Sequence, residues 1–141
     1  MATQASNHIK YLIATGAIDF SSDTFKIILM EEGFTFNIDT HEEYADVSAS
    51  ELATGNGYTQ FTLDLAGVTV TEDDANDYCS VTWNDAQWTA AGGDIGPAAG
   101  AIICDDTVAN DPIVGYIDFG GSFTQADGGT GSVRNIELRL V

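Results

Sequence analysis

Along most of this chain the apolar side chains recur every second residue in short runs, and glycines or Asp/Asn clusters punctuate the runs. A strand lays alternate residues on opposite faces, so this period points to half-buried β-strands and away from a helical bundle. The final run shows it best, with Ile136, Leu138 and Leu140 on one face and Asn135, Glu137 and Arg139 on the other. Phe61, Leu63 and Leu65 alternate in the same way with Gln60, Thr62 and Asp64, and the strand-like runs Val68–Thr71, Tyr78–Trp83, Ala98–Cys104 and Ile113–Phe119 continue the series. Thr24–Met30 is nearly continuous in apolar residues, as expected of a strand buried on both faces. Turns are expected at Gly67, at Asp73–Asp77, in the glycine-rich loop Gly92–Gly96, in the hairpin connection Asp105–Pro112 and at Gly128–Gly131.

About six or seven strands at this spacing predict a mainly β fold, an antiparallel β-sandwich or barrel of jelly-roll-like kind, as a single domain over residues 1–141. One short helix precedes it, at about residues 6–15. Ile9, Leu12 and Ile13 supply its apolar stripe, Ser6 and Asn7 its start and Gly16 its stop. Phe34–Val47 has no clean period and reads as a long loop with one helical turn near Thr40–Tyr44. The expected core is Phe25, Ile27, Leu29, Phe61, Leu63, Leu65, Val81, Ile102, Ile117, Ile136, Leu138 and Leu140.

Charge narrows the function. The chain has 22 Asp and Glu against Lys10, Lys26, Arg134 and Arg139, a formal net charge of −18. Direct nucleic-acid binding is not expected, because phosphate recognition needs clustered Lys and Arg, and an anionic bilayer is excluded on the same ground. A surface of this sign favours solubility and attraction to a basic partner. No run approaches the roughly 18 apolar residues of a membrane span, and the first residues resemble no secretory leader, so the expectation is a protein made and kept in the cytosol unless it leaves within a particle. Cys79 and Cys104 lie in strand-like runs without C-x-x-C or metal-ligand spacing, and are expected as small buried thiols without a bridge.

The residues that most invite chemistry have plainer readings. His41 sits in Thr40–Glu43 (THEE), where nearby carboxylates suggest a metal site or a general base; His8 lies on the first helix. Zinc needs about three ligands at suitable spacing, which the chain does not offer, so both are read as surface or capping histidines. Asp73, Asp74 and Asp77, or Asp105, Asp106 and Asp111, would offer calcium several oxygens from one loop, but neither set follows the EF-hand spacing and solvated turns are the better reading. Trp83 and Trp88 would stack a sugar, yet flanking a strand end they read as core and rim. There is no nucleophile elbow, P-loop or dinucleotide fingerprint. No catalytic, cofactor-binding or metal-binding residue is assigned, and no cofactor is expected.

Several segments, taken together and in order, carry a resemblance: Asp23–Met30 (DTFKIILM), Asn37–Val47 (NIDTHEEYADV), Gly55–Tyr58 (GNGY), Val68–Val70, Val81–Trp83 (VTW) and Ile113–Gly120 (IVGYIDFG). Over nearly the whole chain this order resembles a family of small virion structural proteins of tailed bacteriophages, the Asp39–His41 turn followed by Asp46 and Val47 being its most specific part. The chain departs from the family pattern at Asn76–Ser80 and in its final segment Ile136–Val141. The resemblance implies a non-enzymatic structural protein, with His41 ordering an acidic loop. It leaves the position in the virion open, and the first expectation is a capsid decoration or cement protein on the exterior of the virion, assembled in the host cytoplasm. Its expected partners are the major capsid protein and copies of itself. A neck or tail protein and a carbohydrate-binding β module are the alternatives.

Overall fold

A computed structural model describes residues 3–141. It is mainly β, with antiparallel sheets in a sandwich-like arrangement and one short N-terminal helix. The elements run β1 (Gln4–Ala5), α1 (Asn7–Ala14), β2 (Phe25–Glu31), α2 (Tyr44–Val47), β3 (Asp64–Leu65), β4 (Thr69–Asp73), β5 (Tyr78–Thr82), β6 (Ala86–Thr89), β7 (Ile95–Asp105), β8 (Ile113–Gln125), β9 (Thr130–Val133) and β10 (Glu137–Leu140).

Helix α1 forms where its caps predict. Ser6, fully buried, accepts a hydrogen bond on Oγ from the Ile9 amide at 3.0 Å and donates to the Ile113 carbonyl at 2.8 Å, so one hydroxyl both starts the helix and fastens it to β8. Gly16, at φ +75°, takes the chain out of the helix.

A five-stranded sheet of order β1-β8-β7-β2-β3 is the centre of the molecule. Strand β2, most of β7 and the first part of β8, Ile113–Ile117, are buried on both faces. Phe25, Ile27, Leu29, Ala101, Ile103 and Ile117 pack on one side with Val81, Trp83, Trp88, Val133, Ile136 and Leu138, which come from the three-stranded sheet β10-β5-β4, the two-stranded sheet β6-β9 and the segments joining them. Ile28, Met30, Ile102, Cys104, Ile113 and Tyr116 face the other side, where Phe34, Phe36, Tyr44, Val47 and Phe61 cover them. The continuous apolar run of β2 follows from this double burial. At Ile103/Cys104 the pairing with β8 shifts so that Val114 has no opposite number, and this bulge carries the two-faced alternation across.

Several expectations change. The run Phe61–Leu65 is strand only at Asp64–Leu65. Its start is drawn away by side-chain bonds, since Glu51 accepts from the Phe61 amide at 2.9 Å and Thr62 donates to the Thr59 carbonyl at 2.8 Å. Phe61 adopts φ +51° and turns to the second face, whereas Leu63 and Leu65 stay on the first. Of the expected core, Phe61, Leu63 and Leu140 are half-buried and the other nine are buried. The helical turn falls at Tyr44–Val47 because Asp46 accepts from the Glu42 and Glu43 amides at 3.0 Å each and starts the turn there. Thr130 and Gly131, expected in a turn, belong to β9, which pairs with the unanticipated β6. Strand β7 begins at Ile95 inside the expected glycine loop, and β8 runs on to Gln125.

Candidate functional site

The loop Phe34–Val47 is bound to the first helix and to the sheet. The His41 ring stacks on Phe34 with centroids 5.5 Å apart, its Nδ1 accepts from the Asn37 amide at 3.2 Å, and the Asn37 side chain accepts from the Asp39 amide at 2.9 Å. His41 thus sits in an ordered acidic turn as a structural residue. Asn7 of α1 donates its side-chain amide to Asp39, and the Asn7 backbone amide donates to the Ile38 carbonyl at 2.9 Å. His8 lies 4.0 Å from Glu42 and stacks beside Tyr11. Phe34, Phe36, Tyr44 and Val47 of this loop cover the second face of the central sheet. Tyr11, 63% exposed, is the large apolar residue of this region left to solvent.

The acidic clusters are organised as turns. Asp73 accepts from the Asn76 side chain at 2.9 Å and from its backbone amide at 3.2 Å, which holds Asp73 below the usual carboxylate range. Asp105 caps its loop by accepting from the Thr107 amide at 2.8 Å and the Val108 amide at 3.2 Å. Asp106 pairs with Lys26, whose Nζ lies 3.2 Å from it and 2.6 Å from Asp64. The hydrogen bond to Asp64 raises Lys26 above its ordinary value. Among the described residues no three His, Cys, Asp or Glu side chains are grouped to hold a metal ion. Trp83 is buried edge-on against Phe20 and Phe25. Trp88 forms part of the wall of an apolar pocket of about 290 Å³ with Leu29, Ile95, Phe119, Phe123 and Val133. Cys79 and Cys104 are unbridged, the first half-buried on β5 and the second buried on β7, where burial raises its thiol pKa.

Two acids are buried: Glu51, which the sequence did not single out, and Asp105, which it offered only as one member of an acidic loop. Glu51 is 2% exposed and accepts from Tyr44 Oη at 2.6 Å, Tyr58 Oη at 2.7 Å and the Phe61 amide at 2.9 Å. Tyr58 Oη in turn accepts from the Leu29 amide at 2.9 Å, which ties the group to β2. Asp105 is fully buried, with Oδ2 lacking a hydrogen-bond partner; burial, with the neighbouring Asp23 carboxyl, pushes its pKa up to about 6. Twenty-two acids conceal these two, because nothing in their local spacing differs from that of the solvated ones.

Edges are what the molecule leaves open. The five-stranded sheet ends at β1 and β3, each of two residues. The three-stranded sheet ends at β4, five residues long, with Thr69, Val70, Thr71 and Glu72 exposed and Asp73 half-buried. Nothing among the described residues pairs with its outer side.

No family model, curated protein or solved structure matches the chain.

Proposed function

We propose that this chain is a non-enzymatic structural protein of a tailed-phage virion, a decoration protein bound to the outside of the head. The observation that supports it most is the distribution of charge. Two of the four cations, Lys26 and Arg139, are engaged with Asp64, Asp106 and Glu137, so the surface field is that of the acids. Such a field repels packaged genome and is attracted to basic patches of a protein shell. The chain's resemblance to small phage virion proteins accords with this reading, and the segments that carry it supply β2, the first half of β8 and the ordered His41 loop. A decoration protein acts by mass action: binding only the assembled shell, it stabilises that shell by RT ln(1 + [L]/Kd).

The test is co-sedimentation of the purified protein with undecorated shells, followed by thermal melting of the shells. Saturable binding that weakens as salt rises, with a higher shell melting temperature, is the expected result. Recovery at the copy number of a ring in purified virions would move the protein to the neck or tail, and localisation against the genome would end the decoration reading.

A further inference from the structure

We infer that the outer edge of β4 is a strand-addition site that takes an extended, basic segment of a partner protein. The inference rests on the fold and stands apart from the virion reading.

Strand β4 is unlike the other strands because the core does not use it. None of Thr69–Asp73 belongs to either apolar cluster, and Val70 is 48% exposed. The strand is held by its ladder to β5, five consecutive pairs from Thr69↔Thr82 to Asp73↔Tyr78 without a bulge. In an antiparallel pair every second residue turns both its N–H and its C=O away from its neighbour, so a straight five-residue edge presents two or three such unpaired residues. Natural sheets blunt an edge of this kind with a bulge, a proline, a lysine or extreme shortness. The edges β1 and β3 are blunted by shortness, β9 has Phe123 and Gln125 beside Gly131, the Ala91 amide just past β6 donates to the Asn56 carbonyl at 2.9 Å, and β10, the other edge of the same sheet, carries Arg139 and has its Glu137 carbonyl taken by the Thr3 amide at 2.9 Å. Strand β4 has only charge.

That charge selects the occupant. Glu72, Asp73, Asp74 and Asp77 lie on the strand and the turn that follows it, and residues 69–77 include no cation. A second copy would bring the same four acids and a net charge of −18 to the contact, whereas a strand carrying Lys or Arg would meet complementary charge as its backbone completes the ladder. The exposed Thr-Val-Thr stretch, of high strand propensity, supplies the surface on which its side chains would lie.

The probe is a blocked heptapeptide alternating lysine with valine and threonine, added to the full chain while amide exchange is followed by NMR. The expected result is slowed exchange at alternate residues of Thr69–Asp73, weaker binding at high salt, no binding of the same peptide with glutamate for lysine, and about fivefold weaker binding when its central residue is proline. Val70→Pro and Thr71→Pro are made separately, since one of these two amides points outward; the variant that keeps the native melting temperature should lose peptide binding. Glu72→Lys, on an exposed position, should weaken binding without unfolding the chain. Slowed exchange elsewhere, unchanged binding in these folded variants, or no slowing by the basic peptide would overturn the proposal. Concentration-dependent dimerisation through β4 would replace the basic partner by a second copy. Failure to bind shells would leave these readouts unaffected.

Discussion

The two faces of the central sheet are covered by different means. The first is closed by other strands and by α1, and its buried contacts are almost wholly apolar, with Leu138, Ile136, Val81 and Ile27 each at most 1% exposed. The second is closed by an irregular segment that has no ladder of its own along most of its length. It is stitched down instead: the Ile113 amide donates to the Glu42 carbonyl at 2.8 Å, the Tyr44 amide to the Asp111 carbonyl at 3.0 Å, and Glu51 holds Tyr44 and Phe61, while Leu52, whose amide donates to the Leu29 carbonyl at 2.9 Å, and Tyr58, the third donor to Glu51, carry the end of the segment round to the first face. A sheet brings its own satisfied backbone to an apolar contact, whereas a loop must find a partner for each group it buries. The polar residues of the second face are the consequence.

Breaking the apolar face should have the largest effect. Leu138→Ala leaves a cavity among Val81 and its neighbours and is expected to lower global stability by about 2–5 kcal/mol, measured by urea unfolding. On the stitched face Glu51→Ala strands three donors and should cost about 2–3 kcal/mol, but the signature is local: hydrogen exchange in residues 42–61 should quicken before the rest of the sheet opens. Uniform quickening would mean that the two faces are not separate units. Tyr58→Phe leaves the Leu29 amide without its acceptor and removes one of the two donors on Glu51 Oε1, the Phe61 amide remaining, and should show the same pattern at about 1–2 kcal/mol.

The smallest expected effect is one of pH. Because Asp105 is raised to about 6 in the folded state, folding favours its protonated form. Its contribution is full below the unfolded value, near 3.8, and is lost as pH rises through about 6. Asp46, held below the usual range by the Glu43 and Glu42 amides, acts oppositely, and its contribution is lost on acidification. Asp105→Asn keeps an acceptor for Thr107 and Val108 and offers an N–H toward Asp23. Relative to the unaltered protein it should remove about 1–2 kcal/mol of pH dependence between about pH 4 and pH 7, read as the difference between the two melting curves. Parallel curves would remove Asp105 from the account.

The same contrast explains what could be read from the chain. Strands β2 and β10, helix α1 and most of the first-face core were legible because apolar period and capping residues are local signals. Strands β6 and β9 were not, since Ala86–Thr89 and Thr130–Val133 are segments of only four residues that become strands by pairing with each other. Phe61 was misplaced because its direction depends on Glu51, ten residues away, and no alternation rule includes that bond. The open edge at β4 was legible as a strand but not as an edge, since strand order is a property of the fold.

The scarcity of cations also governs how the folded chain meets a protease that cuts after lysine and arginine. Lys10 lies within α1, Lys26 within β2 and Arg139 within β10, which leaves Arg134–Asn135 as the one such bond outside helices and strands. Cleavage there would detach residues 135–141 and with them β10, the strand beside β5. Native tryptic digestion is thus a single-site reporter on whether the three-stranded sheet is closed.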